Sequence, residues 1–215
     1  MSLLSVVQLA FRYNAQDNWL FSGLDFCLEP GEILAVSGKS GCGKTTLLYL
    51  LNGIIPRHID GEMKGDIKIA GIEHNKLSLP ELAPHISMVM QNPHQQLFFP
   101  TVEQELAFAP ENLCLSPDII EERISNALQL LKISELRQQE TATLSYGQQK
   151  LTALAAIYTL QPQILLLDEI SNGISTEKKS HIINLIKSYA HSGKNIIIAD
   201  HDPAFLDLAS YRLSL

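Results

Sequence analysis

The 215-residue sequence is poor in basic charge, in cysteine and in long apolar runs. Its 16 Lys and Arg face 23 Asp and Glu, a formal net charge of −7, and no basic block occurs. A general nucleic-acid binder presents a basic face, so no nucleic acid is expected among the partners. Cys27, Cys42 and Cys114 are odd in number and lack CxxC spacing, so neither a disulfide framework nor a zinc site is implied. Cys27 and Cys114 read as small core or loop residues. Although 46% of the residues are hydrophobic, no apolar stretch approaches the ~18 residues that span a bilayer. "LTALAAIYTL" and "NIIIA" are too short, and "MSLLSVVQLAFR" lacks the basic start and long apolar core of a secretion signal. A soluble cytoplasmic protein is expected, built as one domain or two tightly joined lobes.

Residues 4–11 and 19–28 carry β-type apolar residues broken by polar ones, with a turn at Pro30-Gly31. "EILAVS" (32–37) predicts an apolar strand running into a glycine loop. "TTLLYLLNGII" (45–55) predicts a helix apolar on nearly every side, ending near Gly53 and Pro56. "GDIKIAG" (65–71) alternates like a half-exposed strand, and "HISMVMQ" (85–91) reads as a buried one. Residues 92–150 change character: helical periodicity begins at Thr101 and Ser116, each followed by acidic residues suited to a helix N-terminus. "QILLLDEI" (163–170) and "KNIIIADH" (194–201) are short strands around a helical segment, an alternation that implies a parallel sheet covered on both faces. The division expected is an α/β core of residues 1–91 and 151–215, with a helical subdomain at 92–150.

The chemistry concentrates at "SGKSGCGKTT" (37–46), where Gly38, Gly43, Lys44 and Thr45 fit G-x-x-x-x-G-K-[ST] between a strand and a helix. Glycines let consecutive backbone N–H groups turn toward one centre, and the following helix adds its positive end. Lys44 can reach β- and γ-phosphate oxygens, and the Thr45 hydroxyl can bind Mg²⁺. In "ILLLDE" four apolar residues place Asp168 at a buried strand end for the metal shell, with Glu169 beside it to orient or deprotonate a water. "LSYGQQK" (144–150) opens a helix, and Gln91 closes a strand before the helical insertion.

Glycine loop, strand-end Gln, LS-x-GQ and an apolar strand ending in DE follow the order of ATP-binding-cassette (ABC) ATPases, which the chain resembles from end to end. The resemblance implies a P-loop NTPase (RecA-like) parallel-sheet core with an N-terminal antiparallel β subdomain and an inserted α-helical subdomain. It implies ATP and Mg²⁺ as cofactors. Tyr13 would stack on adenine, and Gly38, Ser40, Gly41, Cys42, Gly43, Lys44, Thr45 and Thr46 would hold the phosphates. Gln91 would contact the metal or the water, and His201 would bridge Glu169 to the γ-phosphate. Leu144, Ser145, Gly147 and Gln148 would reach the ATP of a second subunit.

"MVMQNPHQQLFFPTVEQELAFAPENL" (88–113) and "LNGIIPRHIDGEMKGDIKIAG" (51–71) look like the energy-coupling-factor importers of cobalt, nickel and vitamins. That likeness implies three partners: a second ABC ATPase subunit, a transmembrane coupling protein and a substrate-capture membrane protein. The coupling protein's helices would dock in a groove near Gln91 and Pro100, holding the chain on the inner face of the cell membrane. Departures from the family pattern are Tyr146 for a usual glycine, Leu151 for a usual basic residue, and Ile170 and Ser175 in "ISNGIS". The sequence stops 14 residues past His201, without the extension many such subunits use to stay dimeric. A regulatory nucleotide-binding subunit of a heterodimeric pair is the alternative these departures raise. A cassette acting on DNA or ribosomes would need a basic surface, a coiled-coil or zinc insertion, or two cassettes, none of which is present.

Overall fold

The computed structural model describes residues 2–215. An antiparallel sheet is made first, from β1 (Leu4–Arg12) and β2 (Phe21–Leu28), then β4 (Glu62–Ile69) and the short β5 (Ile72–Glu73), in the order β2-β1-β4-β5. The second sheet is parallel, with β3 (Ile33–Ser37), β6 (Ile86–Val89), β7 (Ile164–Asp168), β8 (Asn195–Ala199) and β9 (Tyr211–Ser214) in the order β6-β7-β8-β3-β9. Helix α1 (Lys44–Leu51) follows β3 and leads to a short turn of helix, α2 (Ile54–Arg57). Another single turn, α3 (Leu79–Leu82), precedes β6. The longer helices α4 (Val102–Asn112), α5 (Pro117–Leu130) and α6 (Tyr146–Leu160) lie between β6 and β7. Helix α7 (Thr176–His191) joins β7 to β8, and α8 (Pro203–Leu206) precedes β9.

The near-continuous apolar strands of the parallel sheet are explained by burial on both faces. Leu166, Ile197, Leu34 and Val36 point to one side and pack with Leu47, Leu48, Leu50 and Leu51 of α1 and with Leu4, Val6, Leu9 and Phe11 of β1. Helix α1 is therefore enclosed between two sheets, which is why it has no polar face. Leu165, Leu167, Ile196 and Ile198 point to the other side, into a core shared with Leu106, Leu128, Leu151, Leu154, Ile182 and Leu185. The alternation along β7 and β8 thus divides the protein into two cores separated by one sheet.

The helical segment begins where its caps are strongest. Thr101 caps α4 in a reciprocal capping box with Gln104, and Ser116 precedes α5 with Pro117 at its first position. Arg137 donates to Glu103 of α4 and to Glu121 of α5, tying both helices to the connection that follows them. Helix α6 runs through residue 150, so it joins the helical segment to the sheet without a break. Cys27 departs from the expectation of a core position, since it is exposed on β2; Cys114 is exposed in the turn after α4.

Leu166 is fully buried at the centre of the sheet. Leu166→Ala is expected to lower unfolding free energy by ~2–5 kcal/mol, through lost transfer energy plus an unfilled cavity. Urea denaturation reads this directly, and a loss well under 1 kcal/mol would mean that the sheet is not packed on both faces as described.

Candidate nucleotide-binding site

The glycine-rich stretch 38–43 forms the loop between β3 and α1. Gly38 adopts φ 147°, and a Cβ there would lie 2.6 Å from Cys42 Sγ and 2.9 Å from the Leu215 carbonyl, so only glycine fits. Lys44 folds over the loop and donates to the carbonyls of Gly38 (3.0 Å) and Lys39 (3.2 Å). Tyr13, Ser40, Gly41, Gly43, Lys44, Thr45, Thr46, Gln91 and Glu169 converge, with Leu20, on one open cleft of about 370 Å³. Residues more than 150 positions apart are brought there because β3 and β7 lie in the same sheet, separated by β8.

At the cleft floor, Thr45 Oγ1 donates to Asp168 Oδ2 at 2.9 Å. Asp168 is 1% exposed, and its Oδ1 is buried without a hydrogen-bond partner. A buried carboxylate oxygen with nothing to accept from is costly, and a cation would satisfy it. The pair of a hydroxyl and a carboxylate oxygen suits a hard ion such as Mg²⁺, which takes few protein ligands and completes its shell with water and phosphate. Burial pushes the Asp168 carboxyl up to about 6, and the neighbouring Glu169 charge adds to the rise.

Glu169 leaves β7 with a left-handed backbone, φ 45°, a conformation that costs non-glycine residues ~1–2 kcal/mol. Its N–H donates to the Ala199 carbonyl at 2.7 Å, its Oε2 accepts from Gln91 Nε2 at 2.7 Å, and its carbonyl accepts from the Lys150 ammonium. Gln91 itself lies two residues beyond the end of β6. The Tyr13 hydroxyl pairs with Thr46 Oγ1 at 2.7 Å, and its half-exposed ring meets Phe11 edge-on at 5.0 Å. Nearby, the single tryptophan, Trp19, lies between the Arg12 guanidinium (4.6 Å) and the Lys64 ammonium (4.8 Å).

His201 and the LS-x-GQ residues are placed differently. His201 lies two residues past Ala199, which pairs with Asp168, but its side chain is 72% exposed, 3.8 Å from Asp200, and does not line the cleft. Leu144 is buried, whereas Ser145 and Gln148 form a capping box at the start of α6. Ser145 Oγ donates to Gln148 Oε1 at 2.8 Å and accepts from the Gln148 N–H at 3.4 Å. None of Leu144, Ser145, Gly147 and Gln148 lines the cleft of its own chain.

Two supporting residues escape the motif reading. Asp200, 2% exposed, accepts from Ser171 N (2.9 Å) and Ser171 Oγ (2.7 Å), fixing the segment after Glu169 to the end of β8. Lys150 is fully buried, and burial depresses its ammonium despite Asp200, Glu169 and Asp168 nearby. In the sequence, Asp200 was legible only as a polar residue at a strand end, and Lys150 as one more cation on a helix.

A parallel sheet that delivers a glycine loop and an acidic strand end to one cleft defines a P-loop nucleotide triphosphatase fold. Residues 21–172 match the ABC transporter family. A protein of Pyrococcus horikoshii, provisionally named ABC transporter ATP-binding protein PH1815, is 33% identical over 207 residues, covering 96% of this chain and 73% of that protein. Other relatives are much longer: the chain spans 31% of one from Methanosarcina acetivorans and 38% of one from Saccharolobus solfataricus, each 33% identical over 201 residues. Among solved structures, cbiO1 of Clostridium perfringens, described as part of the ABC transporter complex cbiONQ, is similar at TM-score 0.78 and 32% identity. That match covers 94% of this chain and 79% of cbiO1. The ATP-binding cassette MJ0796, solved as a post-hydrolysis dimer with ADP and Pi, shares the fold at TM-score 0.84 and 19% identity, over 99% of this chain and 94% of its own. The chain belongs to the ABC transporter family and carries its ATP-binding ATPase domain.

Because the folded Asp168 carboxyl titrates near 6, against ~4 when unfolded, folding favours its protonated form. Its contribution is present below pH 4 and is lost as pH rises through 6, up to ~3 kcal/mol at 1.36 per unit. In EDTA, without nucleotide, Asp168→Asn should therefore be more stable than the wild type at pH 7.5 and show little difference at pH 4. Urea midpoints at both pH values check this, and a variant less stable at pH 7.5 would show that the carboxylate is satisfied without a cation.

Proposed function

We propose that this chain is the ATP-hydrolysing subunit that powers an importer of the energy-coupling-factor type, taking up a metal ion or a vitamin through ATP-driven closure of an ATPase dimer. The observation that carries this reading is the cleft joining residues of the 38–46 loop to Gln91 and Glu169, with Asp168 held beneath it by Thr45, in a chain similar to cbiO1 over nearly its whole length. Residues 38–46 hold the phosphates, and Tyr13 packs on the base. Thr45, Gln91 and Asp168 hold Mg²⁺, which when bound neutralises charge on the β- and γ-oxygens. Glu169 orients the attacking water and takes its proton. His201 swings in from its exposed position to join Glu169 and the γ-phosphate.

The cleft is open on one side, and the LS-x-GQ residues lie outside the cleft of their own chain. A two-fold pairing of ATPase subunits accommodates both features at once, since each chain's Leu144, Ser145, Gly147 and Gln148 then cover the other's nucleotide. The partner is a second copy or a related ATPase.

Membrane attachment comes through other subunits. Among the described residues, no helix is long and apolar enough to cross a membrane. An apolar groove of about 520 Å³ lies where α4 and α6 meet the region before β6, lined by Pro80, Pro84, Phe98, Phe108, Leu113 and Ile157. Phe98 is 65% exposed, meeting Phe99 at a tilt and Phe108 edge-on. A helix of the transmembrane coupling protein laid in this groove would cover these rings, while a separate membrane protein captures the substrate. Pro100 lines a neighbouring cavity with Phe98 and Phe99, whereas Gln91 faces the nucleotide cleft.

The test is Glu169→Gln, which blocks hydrolysis and traps the closed pair. Light scattering should show the 23.9 kDa chain doubling to ~48 kDa on adding Mg·ATP, as closed two-fold pairing requires. In vesicles carrying its membrane subunits, the same variant should abolish uptake. A monomer that binds ATP, as read by Trp19 fluorescence, together with intact uptake would assign the engine to a different ATPase and this chain to a regulatory role.

A further inference from the structure

The catalytic glutamate sits in a closed ring of contacts that the motifs do not describe. Gln91 Nε2 donates to the Glu169 carboxylate at 2.7 Å, and the Tyr146 hydroxyl donates to the Gln91 carbonyl at 3.0 Å. Tyr146 and Lys150 stand four residues apart on α6, so they share one helix face, with the ammonium 5.6 Å from the ring centroid. The Lys150 ammonium then donates to the Glu169 carbonyl, closing the ring. The Tyr146 ring also lies flush on Gly173, where a Cβ would come within 2.6 Å of it.

We propose that Tyr146 and Lys150 are positioning residues for Glu169. Lys150 pins the strained left-handed backbone, and Tyr146 fixes the Gln91 segment whose amide holds the carboxylate. Lys150 is fully buried, and its ammonium donates to that carbonyl; a buried charge is costly unless it is paired and hydrogen-bonded, so this contact fixes where the side chain can sit. Tyr146, which adds bulk where a glycine is usual, gains a purpose: it replaces a flexible start of α6 with a strut to both segments that flank the acidic strand end. The start of α6 and Glu169 therefore move as one body within a chain. This assignment rests on hydrolysis occurring at the chain's own cleft.

The experiment compares Lys150→Met, Tyr146→Phe, the double variant and Lys150→Arg in the complete transporter, with hydrogen exchange on the nucleotide-free chain. Misplacing a base lowers turnover more than binding, so kcat should fall ~10-fold in Lys150→Met and about threefold in Tyr146→Phe, with KM for Mg·ATP within about twofold. The double variant should be no slower than Lys150→Met, because one break opens the ring, and Lys150→Arg should recover part of the rate. Amides of residues 169–174 should exchange faster in each broken variant, while those of residues 152–160 stay unchanged. Losses that multiply, unchanged turnover, or loosening along the whole of α6 would overturn the proposal. Tyr146→Phe removes one oxygen and no charge, so it decides the matter even if Lys150→Met does not fold. A wild type that hydrolyses nothing would sink the ATPase reading, whereas the exchange data would still decide the ring.

Discussion

The hydrogen bond from Thr45 to Asp168 is where the two halves of the site are held together. One partner opens α1, directly after the phosphate loop; the other ends β7, which pairs with β6 on one side and β8 on the other. Everything at the cleft is referred to this contact. The loop is placed by β3, Asp168 by β7, and Glu169 by the turn that β7 makes next. A shift of β7 by one residue would reverse its buried faces and carry Asp168 away from Thr45. The dense packing of both sheet faces thus sets the precision of the chemistry as well as the stability of the fold.

The division of the core by the parallel sheet gives the site two differently supported sides. Helix α1 is enclosed between sheets, so the phosphate loop rests on a rigid base. The opposite side rests on α4, α5 and α6, the first two tied to each other through Arg137. Helix α6 meets the segments after β7 and β6 through two polar contacts, Lys150 to the Glu169 carbonyl and Tyr146 to the Gln91 carbonyl. With Tyr146 and Lys150 as the proposed positioning residues, motion of the helical segment reaches Glu169 through these two side chains as well as through the shared core.

What was legible in the sequence is what is local. The phosphate loop, the strand ending in Asp168, and the helix starts at Thr101 and Ser116 depend on residues within a few positions of one another. The parallel sheet followed from apolar runs alternating with a helical pattern. Strand β9 was not legible because three of its four residues are exposed and it lies at a sheet edge. Strand β4 opens with Glu62 and Lys64 flanking Met63, too polar a start to read as strand, so its beginning was set three residues late. The ring around Glu169 joins Gln91, Tyr146 and Lys150 across separations of 19 to 78 residues, a distance over which no spacing rule operates. Asp200 looked like a strand-end carboxylate and proved to anchor Ser171, a pairing visible only once β7 and β8 lie side by side.

The strand order also constrains how the molecule is made. Strand β3, which presents the phosphate loop, has β8 and β9 as its two neighbours, both of which come more than 150 residues later. During synthesis, β3 and α1 emerge early but cannot complete their sheet until residues 195–214 have left the ribosome. Such long-range parallel pairing folds slowly and leaves apolar strands uncovered in the meantime. The nascent chain consequently carries β3 and the loop after it on an unfinished sheet edge until its last strands are made.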